Sequence, residues 1–180
     1  MAIKIKLNNV RLAFPDLFEA TTVNGEGKPA FSAAFLIDPK DPQVAAINAA
    51  IDAAAKEKWA AKAEANLKAM RAADKVCLHS GDLKSNYDGF EGNLYISARN
   101  TIRPLVIDVN KAPLTEQHGK PYSGCYVNAS IEFWVQDNNY GKRVNATLLG
   151  VQFYKDGESF SGGGVADVED FDDLTAEDLV

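Results

Sequence analysis

The sequence predicts a β-dominated α+β fold: an OB-like, five- to six-stranded, partly open barrel with one long inserted helix and an acidic C-terminal tail. Three observations carry this expectation. Short runs of strict apolar/polar alternation recur at both ends of residues 1–160. One long Ala-rich stretch with helical periodicity interrupts them, and a glycine run at Ser161-Gly162-Gly163-Gly164 precedes a segment rich in acids. The resulting order, β-β-α-β-β-β-β, suits a small barrel, and a sandwich satisfies the same pattern. Residues 1–160 are expected to form the domain, and 161–180 the linker and tail.

The elements follow in order. Ile3-Lys4-Ile5-Lys6-Leu7 alternates as a half-buried strand, with Lys4 and Lys6 on the open face. After Asn8-Asn9 the alternation resumes, with Val10, Leu12 and Phe14 on one side and Arg11 on the other. Phe31, Ala33, Phe35 and Ile37 mark a second strand. Asp41-Pro42 then supplies a helix cap and a first-turn proline. The helix over about 42–73 carries an apolar stripe at Val44, Ile47, Ile51, Ala55, Trp59, Ala63, Leu67 and Met70. Residues 80–92, with Gly81, Gly89 and Gly92, read as a loop. Strands resume at 93–99 and 104–109, and a second loop covers about 110–122. Two longer strands, about 124–136 and 143–155, are joined through Asp137-Asn138-Asn139-Tyr140-Gly141, a hairpin signal.

Charge is segregated along this chain. Residues 156–180 hold nine acids and no base, while residues 1–155 hold 19 basic against 16 acidic side chains. A mildly basic body with an acidic tail points toward a polyanionic partner for the body. No apolar run approaches the ~20 residues that span a bilayer, and no signal-peptide core follows Met1. Two cysteines, Cys77 and Cys125, are too few for a disulfide framework. A cytoplasmic protein with no membrane partner is expected.

The outward strand faces combine cations with aromatics. They are Lys4, Lys6 and Arg11 in the first strand; Lys84, Tyr87, Phe90, Tyr95, Arg99 and Arg103 in the middle; and Tyr126, Trp134, Tyr140, Lys142 and Arg143 in the last hairpin. Flat rings stack on unpaired bases while Lys and Arg follow phosphates, so this set suits single-stranded nucleic acid without sequence preference. The alternative is that Tyr95, Tyr126 and Trp134 pack beneath the long helix. Cys77, His79, His118 and Cys125 could form a zinc site, but they lack the paired spacing of a finger or ribbon. Asp82, Asp88, Glu91 and Asp108 could form a two-metal nuclease site, or simply shape and solvate loops. No phosphate-binding loop, nucleophile elbow or HExxH motif is present, so no enzyme, cofactor or metal is expected. The tail acids Asp167, Glu169, Asp170, Asp172, Asp173, Glu177 and Asp178 are punctuated by Phe171, Leu174, Leu179 and Val180. Such a tail either solubilises the chain, or mimics a polyanion over the basic groove and docks on partner proteins.

Three blocks resemble the phage single-stranded DNA-binding protein family. The first is Tyr87-Asp88-Gly89-Phe90-Glu91-Gly92 with Ile96-Ser97-Ala98-Arg99 and Arg103-Pro104. The second is Tyr122-Ser123-Gly124-Cys125-Tyr126-Val127-Asn128, followed by Asp137-Asn138-Asn139. The third is Leu149-Gly150-Val151-Gln152, then Asp156-Gly157-Glu158 and the glycine run. The resemblance implies an OB-fold, sequence-independent binding of single-stranded DNA in phage replication or recombination, and no catalysis. It places Tyr87 and Phe90 at the DNA path, with Arg99 and Arg103 following it. The tail resembles those of bacterial and phage single-strand binders, although it ends Asp178-Leu179-Val180 rather than Pro-Phe. Replication or recombination proteins are the partners so implied, and the edges of a partly open barrel would let a second copy pair. A virion scaffolding protein is the rival reading.

Overall fold

A computed structural model describes residues 2–23, 25–160 and Leu174. The glycine linker and the seven tail acids named above lie outside the described residues. The elements are β1 (Ile3–Val23), β2 (Glu26–Ile37), α1 (Gln43–Trp59), α2 (Ala63–Ala72), β3 (Leu78–Ser80), β4 (Leu94–Asn100), β5 (Leu105–Ile107), β6 (Tyr126–Asn138) and β7 (Gly141–Lys155).

Five of these strands close a barrel. β1 pairs antiparallel with β2 and β6, β2 with β4, and β6 with β7, while a parallel bridge Arg99↔Thr147 joins β4 to β7. This is the Greek-key circuit of an OB-fold. The barrel is thus closed where the pattern suggested a partly open one. Its seam is thin, and Lys75–Cys77 wedges into it. The Cys77 N–H donates to the Val144 carbonyl at 3.0 Å, and the Val144 N–H to that of Lys75 at 3.1 Å. The chain then continues as β3 along β4. β3 and β5 form the two ends of the seven-stranded sheet.

β1 is one strand of 21 residues rather than two short ones. A register shift between Leu7 and Val10 places Asn9 at φ 51°, a conformation that asparagine tolerates. The backbone polar groups freed there are satisfied: Gln43 accepts the Asn8 N–H at 2.6 Å and returns a bond to the Asn8 carbonyl at 2.7 Å. A second shift, between Ala13 and Asp16, turns Phe14 out of the barrel at φ 48°, correcting its expected place in the core.

The helical stripe packs as the periodicity predicts. Ile47, Ile51, Ala55, Ala63, Leu67 and Met70 are buried in the main core with Leu7, Phe35, Ile96, Ile131 and Phe133, while Val44 and Trp59 pack at its margin. Burying each large side chain contributes roughly 1.5–3 kcal/mol. The Asp41 carboxylate accepts the Gln43 N–H at 2.9 Å and so caps α1. The expected single helix breaks at Ala60, where φ is 49°. No glycine or proline marks this site in the sequence.

Candidate nucleic-acid interface

The outer face of β2 and β4 forms the floor of a groove. Ser32 stands opposite Arg99 and Ala34 opposite Ser97, on strands whose alternate residues Ala33, Phe35, Ile96 and Ala98 fill the core. Small side chains leave the floor shallow enough for a flat ring to approach. The β1–β2 and β6–β7 hairpins rise beside it, which are the loops that flank the ligand face of an OB-fold.

One end of the groove is an aromatic platform. Phe14 is 50% and Tyr87 44% exposed, meeting edge to face with ring centroids 4.9 Å apart. Both rest on Phe90, at 5.8 and 6.0 Å. Phe90 itself is 1% exposed and sits in a second small core with Ala13, Ala34, Leu36 and Tyr95. The loop carrying Tyr87 and Phe90 is tied down locally. Asp82 accepts the Gly92 N–H at 2.9 Å, and the Asn93 amide donates to the Gly89 carbonyl at 2.7 Å. Asp16 on the hairpin arm accepts from the Thr21 hydroxyl at 3.1 Å and from Ser32 at 3.4 Å.

Ser97 and Arg99 continue the groove into a second stretch walled by Lys28, Lys75, His79, Trp134 and Arg143. Trp134 is 40% exposed, and its hairpin is pinned to the helix where the Trp59 indole N–H donates to Asp137 at 2.8 Å. The His79 ring lies over Tyr95 and its Nδ1 faces the Asp74 carboxylate. Burial, with a smaller contribution from Asp74, raises the Tyr95 hydroxyl above its usual value. Among the described side chains lining both stretches, five are cationic (Lys28, Lys75, Lys84, Arg99, Arg143) and one, Asp16, is acidic. The groove is therefore electropositive although the whole chain carries −6.

Lys84, Tyr87, Arg99, Trp134 and Arg143 thus line the groove. The other expected contacts stand elsewhere. Phe90 and Tyr95 are buried, because the 81–92 loop covers the outward face of β4 at Tyr95 and leaves Ser97 and Arg99 open; they support the platform and offer no open ring face. Arg11 donates to the carbonyls of Gly124 at 3.0 Å and Glu158 at 2.7 Å, and Tyr126 lies beside it under Lys155. Arg103 donates to the Phe18 carbonyl at 2.7 Å beside a separate cleft near β5. Lys142 pairs with Asp137 at 3.8 Å at the hairpin tip. Lys4 and Lys6 sit opposite Glu132 and Ser130 on the β1–β6 face, outside the groove lining. Phe14, Lys28, Lys75 and His79 were missed by sequence reasoning. The last three reach the groove through a hairpin arm and the seam insertion, which no local pattern signals.

The residues of the imagined zinc site are dispersed. Cys125 accepts the Tyr122 N–H, Cys77 is buried at the seam, and His118 caps a turn with Thr115. Among the described residues no three His, Cys, Asp or Glu side chains gather as metal ligands. Of the loop carboxylates, Asp82 shapes its own loop and Asp108 pairs with Lys120 at 3.1 Å. The neighbouring Val109 N–H and then Lys120 hold the Asp108 carboxyl below its usual value. No described helix is long and apolar enough to cross a membrane.

Comparison with known proteins agrees with this fold. The putative protein p50 of Acyrthosiphon pisum secondary endosymbiont phage 1 is 54% identical over 177 residues, covering 96% of this chain and 95% of p50. The single-stranded DNA-binding protein from bacteriophage Enc34, solved in complex with ssDNA, matches with a TM-score of 0.73 at 30% identity, over 88% of this chain and 89% of that one. The gp2.5 single-stranded DNA-binding protein encoded by bacteriophage T7 shares the fold, with a TM-score of 0.58 at 14% identity over 91% and 92% of the two chains. A family model described as Enterobacter phage Enc34, ssDNA-binding protein matches residues 3–180, so the chain belongs to the family of the Enc34 single-stranded DNA-binding protein.

Proposed function

We propose that this chain binds single-stranded DNA, without sequence preference, along the groove between its two hairpins. The observation that carries the reading is one electropositive trough with an exposed aromatic station at each end, Phe14–Tyr87 and Trp134. Lys28, Lys75, Lys84, Arg99 and Arg143 neutralise phosphates, while the rings stack on bases at roughly 1–3 kcal/mol each. The floor of Ser32, Ala34 and Ser97 offers few groups to read base edges, which favours sequence tolerance. A family member solved with ssDNA supports the same reading. Its family is a class of binding proteins rather than enzymes.

The role in the cell is phage DNA replication or recombination in the host cytoplasm. Residues 161–180 act as a separate linker and tail, competing with DNA for the groove and recruiting replication or recombination proteins. The segregated charge of the sequence supports this division. Fluorescence anisotropy with a ~30-nucleotide oligo-dT and a duplex control, for the full chain and a chain ending at Gly164, tests it. Salt-sensitive binding to the single strand, strengthened by truncation, is the expected result. Binding that truncation leaves unchanged removes the competing tail. No binding by either chain overturns the function and favours a virion scaffold.

A further inference from the structure

After β7 the chain does not simply leave the barrel. Residues 156–160 lie strapped across its end by contacts from Arg11 and from residues 122–124. The Tyr122 hydroxyl donates to Asp156 at 2.8 Å and accepts the Gly157 N–H at 3.1 Å. Arg11 spans the strap, with Nε on the Gly124 carbonyl at 3.0 Å and a guanidinium NH2 on that of Glu158 at 2.7 Å. The Phe160 N–H donates to the Ser123 carbonyl at 3.2 Å. Gly124 sits at φ +105°, and a Cβ there would stand 2.2 Å from the Glu158 carbonyl oxygen, so only glycine admits the strap this close.

The strap ends on the DNA platform. The Arg11 guanidinium lies 4.3 Å from the Phe160 ring centroid, and the far edge of that ring closes on Gly89 beside Leu36. A Cβ on Gly89 would come within 2.7 Å of the Phe160 ring, so the ring lies against the loop backbone at the glycine between Tyr87 and Phe90 in sequence. Phe160 packs against the small core formed by Ala13, Ala34, Leu36, Phe90 and Tyr95, on which Phe14 and Tyr87 rest.

We propose that Arg11 and Phe160 are positioning residues for single-stranded DNA: through the strap at Asp156–Phe160 they brace the loop that presents Tyr87 to the groove. This rests on the groove reading above. It gives Arg11 a role distinct from phosphate neutralisation, since both its bonding edge and its face are engaged inside the protein. It also puts Phe160, the residue just before the glycine linker, at the platform end of the groove.

The test uses the full chain. Hydrogen exchange in free protein is expected to rise across residues 86–92 in Phe160→Ala, with the barrel strands unchanged. Affinity for oligo-dT is expected to fall about fivefold in a Tyr87 background and hardly at all in a Tyr87→Ala background, because coupled residues give non-additive effects. Arg11→Lys keeps the charge but loses the fork, so it should reproduce the loss with the salt slope unaltered. Phe160→Leu replaces Phe160→Ala if the latter fails to fold. Unchanged exchange at 86–92 overturns the strap whether or not the protein binds DNA. Equal losses in both backgrounds also overturn it, as does an Arg11→Lys protein that binds like the parent. Failure of the parent to bind oligo-dT, with exchange raised as expected, overturns the groove and leaves the brace standing.

Discussion

Tyr87 and Phe90 stand three residues apart in one loop, yet replacing each with alanine is expected to have different consequences. Phe90 is 1% exposed, with Tyr95 at 5.1 Å, Phe14 at 5.8 Å and Tyr87 at 6.0 Å. Its removal empties the centre of a small core, at a cost of about 3 kcal/mol, the lower end for Phe→Ala because a surface loop collapses more readily than a barrel interior. For a domain of this size each kcal/mol moves the melting midpoint by about 3 °C, so Phe90→Ala should melt about 9 °C lower. Tyr87 is 44% exposed and its one close ring partner is Phe14 at 4.9 Å, so truncation costs about 1 kcal/mol of stability, or about 3 °C. Its cost falls instead on binding: loss of a stacked base lowers affinity for oligo-dT about 5- to 150-fold. Thermal melts paired with anisotropy at fixed salt read both quantities. A Phe90→Ala protein that melts like the parent would falsify the buried platform. Unaltered oligo-dT binding by Tyr87→Ala would remove that ring from the DNA path.

Further outcomes are expected at Trp134 and at the two buried thiols. Trp134→Ala should weaken oligo-dT binding by a similar factor while leaving the log–log salt slope intact, because a ring releases no counterions. Quenching of tryptophan fluorescence by oligo-dT should likewise disappear in Trp134→Phe, since Trp59 is hydrogen-bonded to Asp137 away from the groove; persistent quenching would place the DNA elsewhere. Burial pushes the Cys77 thiol up to about 12 and the Cys125 thiol up to about 11, from the usual 9.0. The folded chain then holds thiol protons that the unfolded chain has released, so stability is full below pH 9.0 and declines as pH rises toward 11–12. Neither thiol should be alkylated in the native protein at about pH 8, and both should react in urea; fast native labelling would contradict their burial.

The barrel was legible because its strands obey the alternation that a one-sided core imposes, and the helix because its whole apolar stripe is buried. What escaped were features fixed by tertiary contact. Phe14 continues the in-facing series Val10–Leu12 on paper, but a bulge reverses it. Tyr95 does point outward from the barrel, yet a loop folds over that face and makes outward mean buried. Arg11 looks like a free cation until the segment at 156–160 returns to engage it. Lys75 and His79 belong to a seam insertion whose strand, β3, spans three residues, too short for periodicity to register. Helix α1 ends at Trp59 without a glycine or proline to announce it. Arg99 and Trp134 were readable for a simple reason: their strands are regular, and the faces opposite them are uniformly apolar.

Two pairs of cations on different faces give the most direct test of the groove. Arg99→Gln/Arg143→Gln and Lys4→Gln/Lys6→Gln remove the same charge, so their long-range electrostatic effects match. Single-stranded DNA contributes about 0.7 to the log–log salt slope per phosphate contacted, and the groove pair should therefore lower the slope by about 1.4. The β1 pair should leave the slope unchanged. The reverse pattern, a slope reduced by the β1 pair and untouched by the groove pair, would contradict the assignment of the groove as the DNA path.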